Sequence, residues 1–130
     1  MSFSFNGQRG LIVVHAELFG PIGSVVVRLA LDTGATGSMI STEPLTAIGY
    51  DPSLVSERIQ VTTGSSVEYV PTLPLSRIVA LGQERQQFPV LCHTLPASAT
   101  IDGLLGLDFL RDQELILDFR NGRLTLTKSG

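Results

Sequence analysis

The sequence predicts an all-β fold. Apolar stretches of strand length recur along the whole chain, and most are bounded by glycine-bearing turns. Helix-like patterning is confined to two short segments. A clear hairpin signal, Asn121-Gly122, sits between two further strand-like runs near the end.

In chain order, Gly10 to Phe19 reads as a β-run and Gly20-Pro21-Ile22-Gly23 as a turn. Ser24 to Leu31 is the returning strand, and the unbroken Val25-Val26-Val27 within it predicts burial on both faces. Ser38 to Ser41 reads as a short strand. Ser41 or Thr42 then caps a helical turn through Pro44 to Ile48, with Gly49 as its stop. Ile59 to Thr63 and Val67 to Val70 flank Gly64-Ser65-Ser66 as a hairpin with small residues at its tip. Leu75 to Leu81 and Phe88 to His93 pair around Gly82-Gln83-Glu84. Leu107 to Asp112 predicts one or two helical turns, and Leu115 to Phe119 with Leu124 to Thr127 forms the last hairpin. Phe3 and Phe5 fit either a disordered tail or an edge strand in a dimer.

The 130 residues predict one domain, with its core over about residues 10–127. Apolar residues make up 43%, enough for a real core, while charged residues are only 16%, which suits either a surface partly hidden in an oligomer or a domain trimmed from a longer chain. The net charge of −3 and the lack of any basic run argue against nucleic-acid binding. A single cysteine, Cys92, excludes an internal disulfide and suits a reducing compartment. No apolar run approaches a membrane span, and the first residues lack a signal pattern. A cytoplasmic location is therefore expected, with a membrane anchor outside these residues as the alternative.

The chemistry is carried by two motifs. The apolar strand ending at Leu31 runs into Asp32-Thr33-Gly34-Ala35, which places a carboxylate on a tight turn. Far downstream stands Ile101-Asp102-Gly103-Leu104-Leu105-Gly106-Leu107-Asp108-Phe109-Leu110. Asp-Thr-Gly alone also suits an ordinary β-turn. The strand before it, the alanine after it and the distant Leu-Leu-Gly give it weight.

Together the motifs resemble the retropepsin-like, single-domain aspartic proteases, and the wording Gly103 to Leu110 is closer to their cellular and bacterial members than to the retroviral enzymes. The resemblance implies a closed β-barrel or sandwich forming one acid-protease lobe, with a short helix after the second motif. It implies an aspartic endopeptidase in which Asp32 and its copy in a second chain share a proton and activate water. Two carboxyl groups about 3 Å apart cannot both ionise, and one motif per chain then requires a homodimer. Thr33, Gly34 and Ala35 would shape the active-site loop, and Leu104, Leu105 and Gly106 would support it from behind. Gly64, Ser65 and Ser66 would form a flap, and with Thr36 and Gly37 would bind an extended polypeptide substrate. No cofactor or metal is implied. Thr36, Gly37 and Leu107 depart from the retroviral pattern of acidic residues and a following basic residue, which puts that family's salt-bridge network in doubt.

Rival residues have plainer readings. Asp102 suits the turn before Gly103, and Asp108 a helix start; neither lies in an Asp-Thr/Ser-Gly context. Cys92 and His93, adjacent on a strand, point to opposite faces. His15 has no visible partner, and no metal-ligand spacing occurs. The alternative function is a dimerisation or peptide-binding module with little hydrolytic activity.

Overall fold

The structure is a computed structural model that describes residues 1–62, 64–96 and 98–128. Its strands are β1 (Ser2–Ser4), β2 (Val13–Gly20), β3 (Gly23–Leu31), β4 (Met39–Ile40), β5 (Arg58–Thr62), β6 (Val67–Ala80), β7 (Gln83–Cys92), β8 (Gly103–Leu105), β9 (Gln113–Asp118) and β10 (Arg123–Lys128). Helix α1 spans Thr42–Ala47, helix α2 spans Leu107–Leu110, and a 3-10 turn spans Pro52–Leu54. The main sheet runs β2-β3-β8-β4-β7-β6-β5, and a further β2–β6 ladder closes six of these strands into a barrel. A separate sheet, β1-β10-β9, packs Leu124 and Leu126 into the same core.

Most elements follow from local chemistry. Pro21 and Ile22 turn β2 into β3, whose ladder runs from Val13↔Ala30 to Gly20↔Gly23. Gly49 stops α1 in the left-handed region at φ 99°. The expectation for Val25 to Val27 is corrected. Val27 is buried, but Val26 is 63% exposed, because at this point of β3 only one face is covered. The β6–β7 turn also lies earlier than expected. Leu81 and Gly82 both take positive φ, 53° and 73°, so Ala80 pairs directly with Gln83. A buried leucine in that conformation is not foreseeable from turn propensities. The last hairpin uses residues 119–122, with Gly122 at φ 62° and Asn121 held by the Asp118 carboxylate. Helix α2 ends at Leu110, shorter than expected. Thr63, expected to end a strand, lies outside the described residues.

Two features position the functional region. The first is β8, which threads between β3 and β4, parallel to one and antiparallel to the other. Gly103 makes this possible: a β-carbon there would lie 2.0 Å from the Met39 carbonyl oxygen. The second is a change of phase in β6 and β7. The Tyr50 hydroxyl donates to Phe19 O and accepts from Ser76 N–H, each at 2.8 Å, and Gln87 takes φ 50°. Inward positions are consequently three apart on both strands, at Leu75 and Ile78 and at their partners Phe88 and Arg85.

The terminal strands pair within the chain. Strand β10 lies between β1 and β9, so both its edges are filled, and Phe3 packs against the core from an edge strand. Gly103→Ala is expected to cost about 3 kcal/mol or more in a urea melt, because backbone and not a side-chain tip blocks the added methyl.

Candidate active site

The loop after β3 is built from its own backbone. Asp32 N–H donates to Leu105 O at 2.9 Å and Ala35 N–H to Asp32 O at 3.2 Å. Gly34 N–H donates to Asp32 Oδ1 at 2.8 Å. Glycine suits position 34 because a β-carbon would approach that same oxygen to 3.2 Å. Asp32 is half-buried, its Oδ2 is without a hydrogen bond among the described residues, and Thr33 and Gly34 beside it are exposed. The loop therefore offers a carboxylate at its surface, with one oxygen held and one available.

Behind the loop lies a network that the sequence did not reveal. Ser38, 1% exposed, donates from N–H to Asp108 Oδ2 at 2.9 Å and from Oγ to Asp108 Oδ1 at 2.7 Å. Its Oγ also accepts from Gly106 N–H at 3.0 Å. Leu107 N–H donates to Ala35 O and Asp108 N–H to Thr36 O. Gly106 is required by closeness, since a β-carbon would fall 2.7 Å from Ala35 O. Asp108 thus does more than start α2: it locks the loop to the second motif. Asp102 is also structural. Its Oδ2 accepts from Arg28 N–H at 2.9 Å while its own N–H donates to Arg28 O at 2.7 Å, strapping the approach to β8 onto β3.

In front of the loop is a cavity of about 930 Å³. Gly34 to Met39 and Ile59 to Thr62 of β5 line it, together with Thr72, Arg85, Phe88 to Leu91, Leu104 and Asp108. Of the residues expected at the site, Gly34, Ala35, Thr36, Gly37 and Leu104 line the cavity, Leu105 and Gly106 stand behind it, and Asp32 and Thr33 precede Gly34 in the chain without lining it. Gly64, Ser65 and Ser66 sit at the exposed tip of the β5–β6 hairpin and do not line it; the strand residues Ile59 to Thr62 do.

The family model described as aspartyl protease matches residues 14–109, most of the chain. The chain belongs to the aspartyl protease family. No curated protein matches it at the level of sequence. Among solved structures, it is similar to a retropepsin-like aspartic protease from Rickettsia conorii, with a TM-score of 0.74 and 19% identity over 98% of this chain and 89% of the other. It is also similar to the retroviral protease-like domain of Ddi1 from Leishmania major, with a TM-score of 0.60 and 21% identity over 92% and 90%. At these identities the likeness is one of fold: this aspartyl protease family member has the retropepsin-like all-β architecture.

The remaining reactive side chains of this aspartyl protease homologue lie elsewhere. Cys92 is buried, and burial pushes its thiol up to about 11. His93, exposed on the opposite face of the strand end, directs Nε2 toward Glu68 of β6 at 3.6 Å. His15 is exposed. No group of three or more His, Cys, Asp or Glu suited to a metal occurs among the described residues, nor does a helix long and apolar enough to cross a membrane.

Two outcomes are expected. Ser38→Ala removes a donor to Asp108 and leaves the Gly106 N–H without its acceptor, and should cost about 2 kcal/mol in denaturant melts. The Cys92 thiol should react with a disulfide reagent at pH 8 at least about 10²-fold more slowly in the native protein than in urea, because burial both shields it from the reagent and keeps it protonated. Its raised pKa stabilises the fold below the unfolded thiol's range, and that contribution is lost as pH climbs through about 11.

Proposed function

We propose that this protein is an aspartic endopeptidase whose catalytic pair consists of Asp32 from each of two copies. One observation carries the reading. Of the three carboxylates in the two motifs, Asp108 has both oxygens held by Ser38, and Asp102 straps the approach to β8 onto Arg28 through its Oδ2 and its own N–H, while Asp32 stands half-buried in the Asp-Thr-Gly loop with its Oδ2 without a hydrogen bond among the described residues. A single chain thus offers half of a dyad.

In the dimer, the two Asp32 carboxyls share a proton. The ionised one takes a proton from water as that water attacks the scissile carbonyl, and the protonated one donates to the carbonyl oxygen. Collapse of the tetrahedral intermediate expels the amine, which leaves with a proton from the dyad. The apparent pKa values belong to the pair. Gly34 N–H orients the Asp32 carboxylate through Oδ1. Thr33, exposed and with no side-chain hydrogen bond among the described residues, is suited to a contact across the two-fold axis. The 930 Å³ cavity suits an extended peptide clamped between the loop and β5, with the Gly64 to Ser66 hairpin tip as a moving flap. The chain is proposed to act as one domain, without cofactor or metal.

The test is turnover of a diverse peptide library from about pH 3 to 8, at protein concentrations spanning dimer formation. Specific activity should rise with concentration, and Asp32→Asn should lower kcat by about 10³-fold or more without loss of fold. A dimeric protein that cleaves nothing, or cleavage that survives in Asp32→Asn, overturns the reading.

A further inference from the structure

We infer that Arg85 is a specificity-determining residue that selects an acidic side chain in the substrate, at a subsite away from the scissile bond. This rests on reading the cavity as a peptide-binding cleft.

The wall of that cavity is largely apolar: Met39, Ile59, Val61, Phe88, Val90 and Leu104. Its two charged lining residues differ sharply in their commitments. Asp108 has both oxygens engaged by Ser38. Arg85 has no carboxylate partner among the described residues, whose ion pairs are Arg77–Glu84 and His93–Glu68. Instead its Nη1 donates to Glu84 O at 3.1 Å, and its Nη2 to Gln83 Oε1 at 2.9 Å and Phe109 O at 3.1 Å. The guanidinium lies 4.4 Å from the centre of the Phe109 ring, which itself meets Phe88 edge to face.

These contacts hold the group in place without neutralising it. Carbonyl and amide oxygens use some of its five N–H donors, and the Nε–H makes no hydrogen bond among the described residues. Half-burial removes part of its water, and its pKa is lowered from the ordinary arginine value by desolvation, as for a cation lacking a counterion. Both Nη2 hydrogens are taken, so the Nε–H and the second Nη1–H are the charged donors left for a carboxylate. An extended peptide lying in the cleft would supply one from Asp or Glu, with neighbouring apolar side chains against the rest of the wall. The phase change at Gln87 and Ser76 brings Arg85 to this side; regular alternation from Phe88 would have brought Gln86.

The test uses the full chain carrying Asp32→Asn and a randomised library of extended peptides, acetylated and amidated so that only side chains carry carboxylates. Retained peptides are sequenced by mass spectrometry. The expected result is enrichment of Asp and Glu over Asn and Gln at one position, by about tenfold. The enrichment should weaken with salt, disappear in Arg85→Met, and persist in reduced form in Arg85→Lys. Arg85→Lys also keeps the comparison valid if Arg85→Met fails to fold. No acidic enrichment at any position, or enrichment unchanged in Arg85→Met, overturns the inference. Acidic enrichment beside a wild type that cleaves nothing upholds it and overturns the protease reading. Turnover by wild type without acidic enrichment does the reverse. If no peptide is retained, both readings of the cleft fall.

Discussion

The end of this fold that carries the Asp32 loop depends on one packing constraint, the passage of β8 between β3 and β4. Without β8 the Asp32 N–H has no Leu105 carbonyl to donate to, and the barrel has a gap between β3 and β4. Two glycines permit the passage by letting backbone touch backbone. Gly103 lies against Met39 and Gly106 against Ala35 and Gly37. A buried strand bordered on both sides by strands of the same barrel satisfies its donors and acceptors at once, and the loop that carries Asp32 inherits its rigidity.

The carboxylates near that loop divide the work. Asp102 and Asp108 hold backbone in place, one on β3 and the other through Ser38, so that a third carboxylate can stand at the surface with an oxygen unused. Ser38 is the centre of this division. Its hydroxyl is both donor and acceptor, linking Asp108 to Gly106 N–H in a place closed to water. A buried hydroxyl with both functions satisfied contributes rigidity; with one removed it becomes a penalty. Neutral and charge-assisted hydrogen bonds thus do here what a salt bridge would do, with fewer charges to desolvate.

Distant elements shape the cleft as much as near ones. The Tyr50 hydroxyl, just beyond α1, bridges Phe19 of β2 and Ser76 of β6, and the phase of β6 and β7 changes at that level. Through that change Arg85 comes to lie over Phe109 of α2, the helix that begins immediately after Gly106. The cleft wall, the second motif and the barrel closure are therefore mechanically one object.

By itself, the sequence determined what local chemistry determines. Strand-length apolar runs and glycine turns specified an all-β chain and most hairpins, cap and stop residues a short helix, and the two motifs specified the Asp32 loop and its supporting segment. What was illegible depends on residues far apart in the chain. Ser38 and Asp108 meet across 70 positions and carry no spacing signal. Arg85 would be assigned to solvent by regular alternation, and Leu81 would not be assigned a left-handed turn. Val26, within a run of valines, reads as buried until the uncovered face of β3 is seen. Only the tertiary structure decided these points, because burial, strand phase and hydrogen-bond partnership are properties of what the folded chain brings alongside a residue, and the residue's own neighbours in sequence do not contain that information.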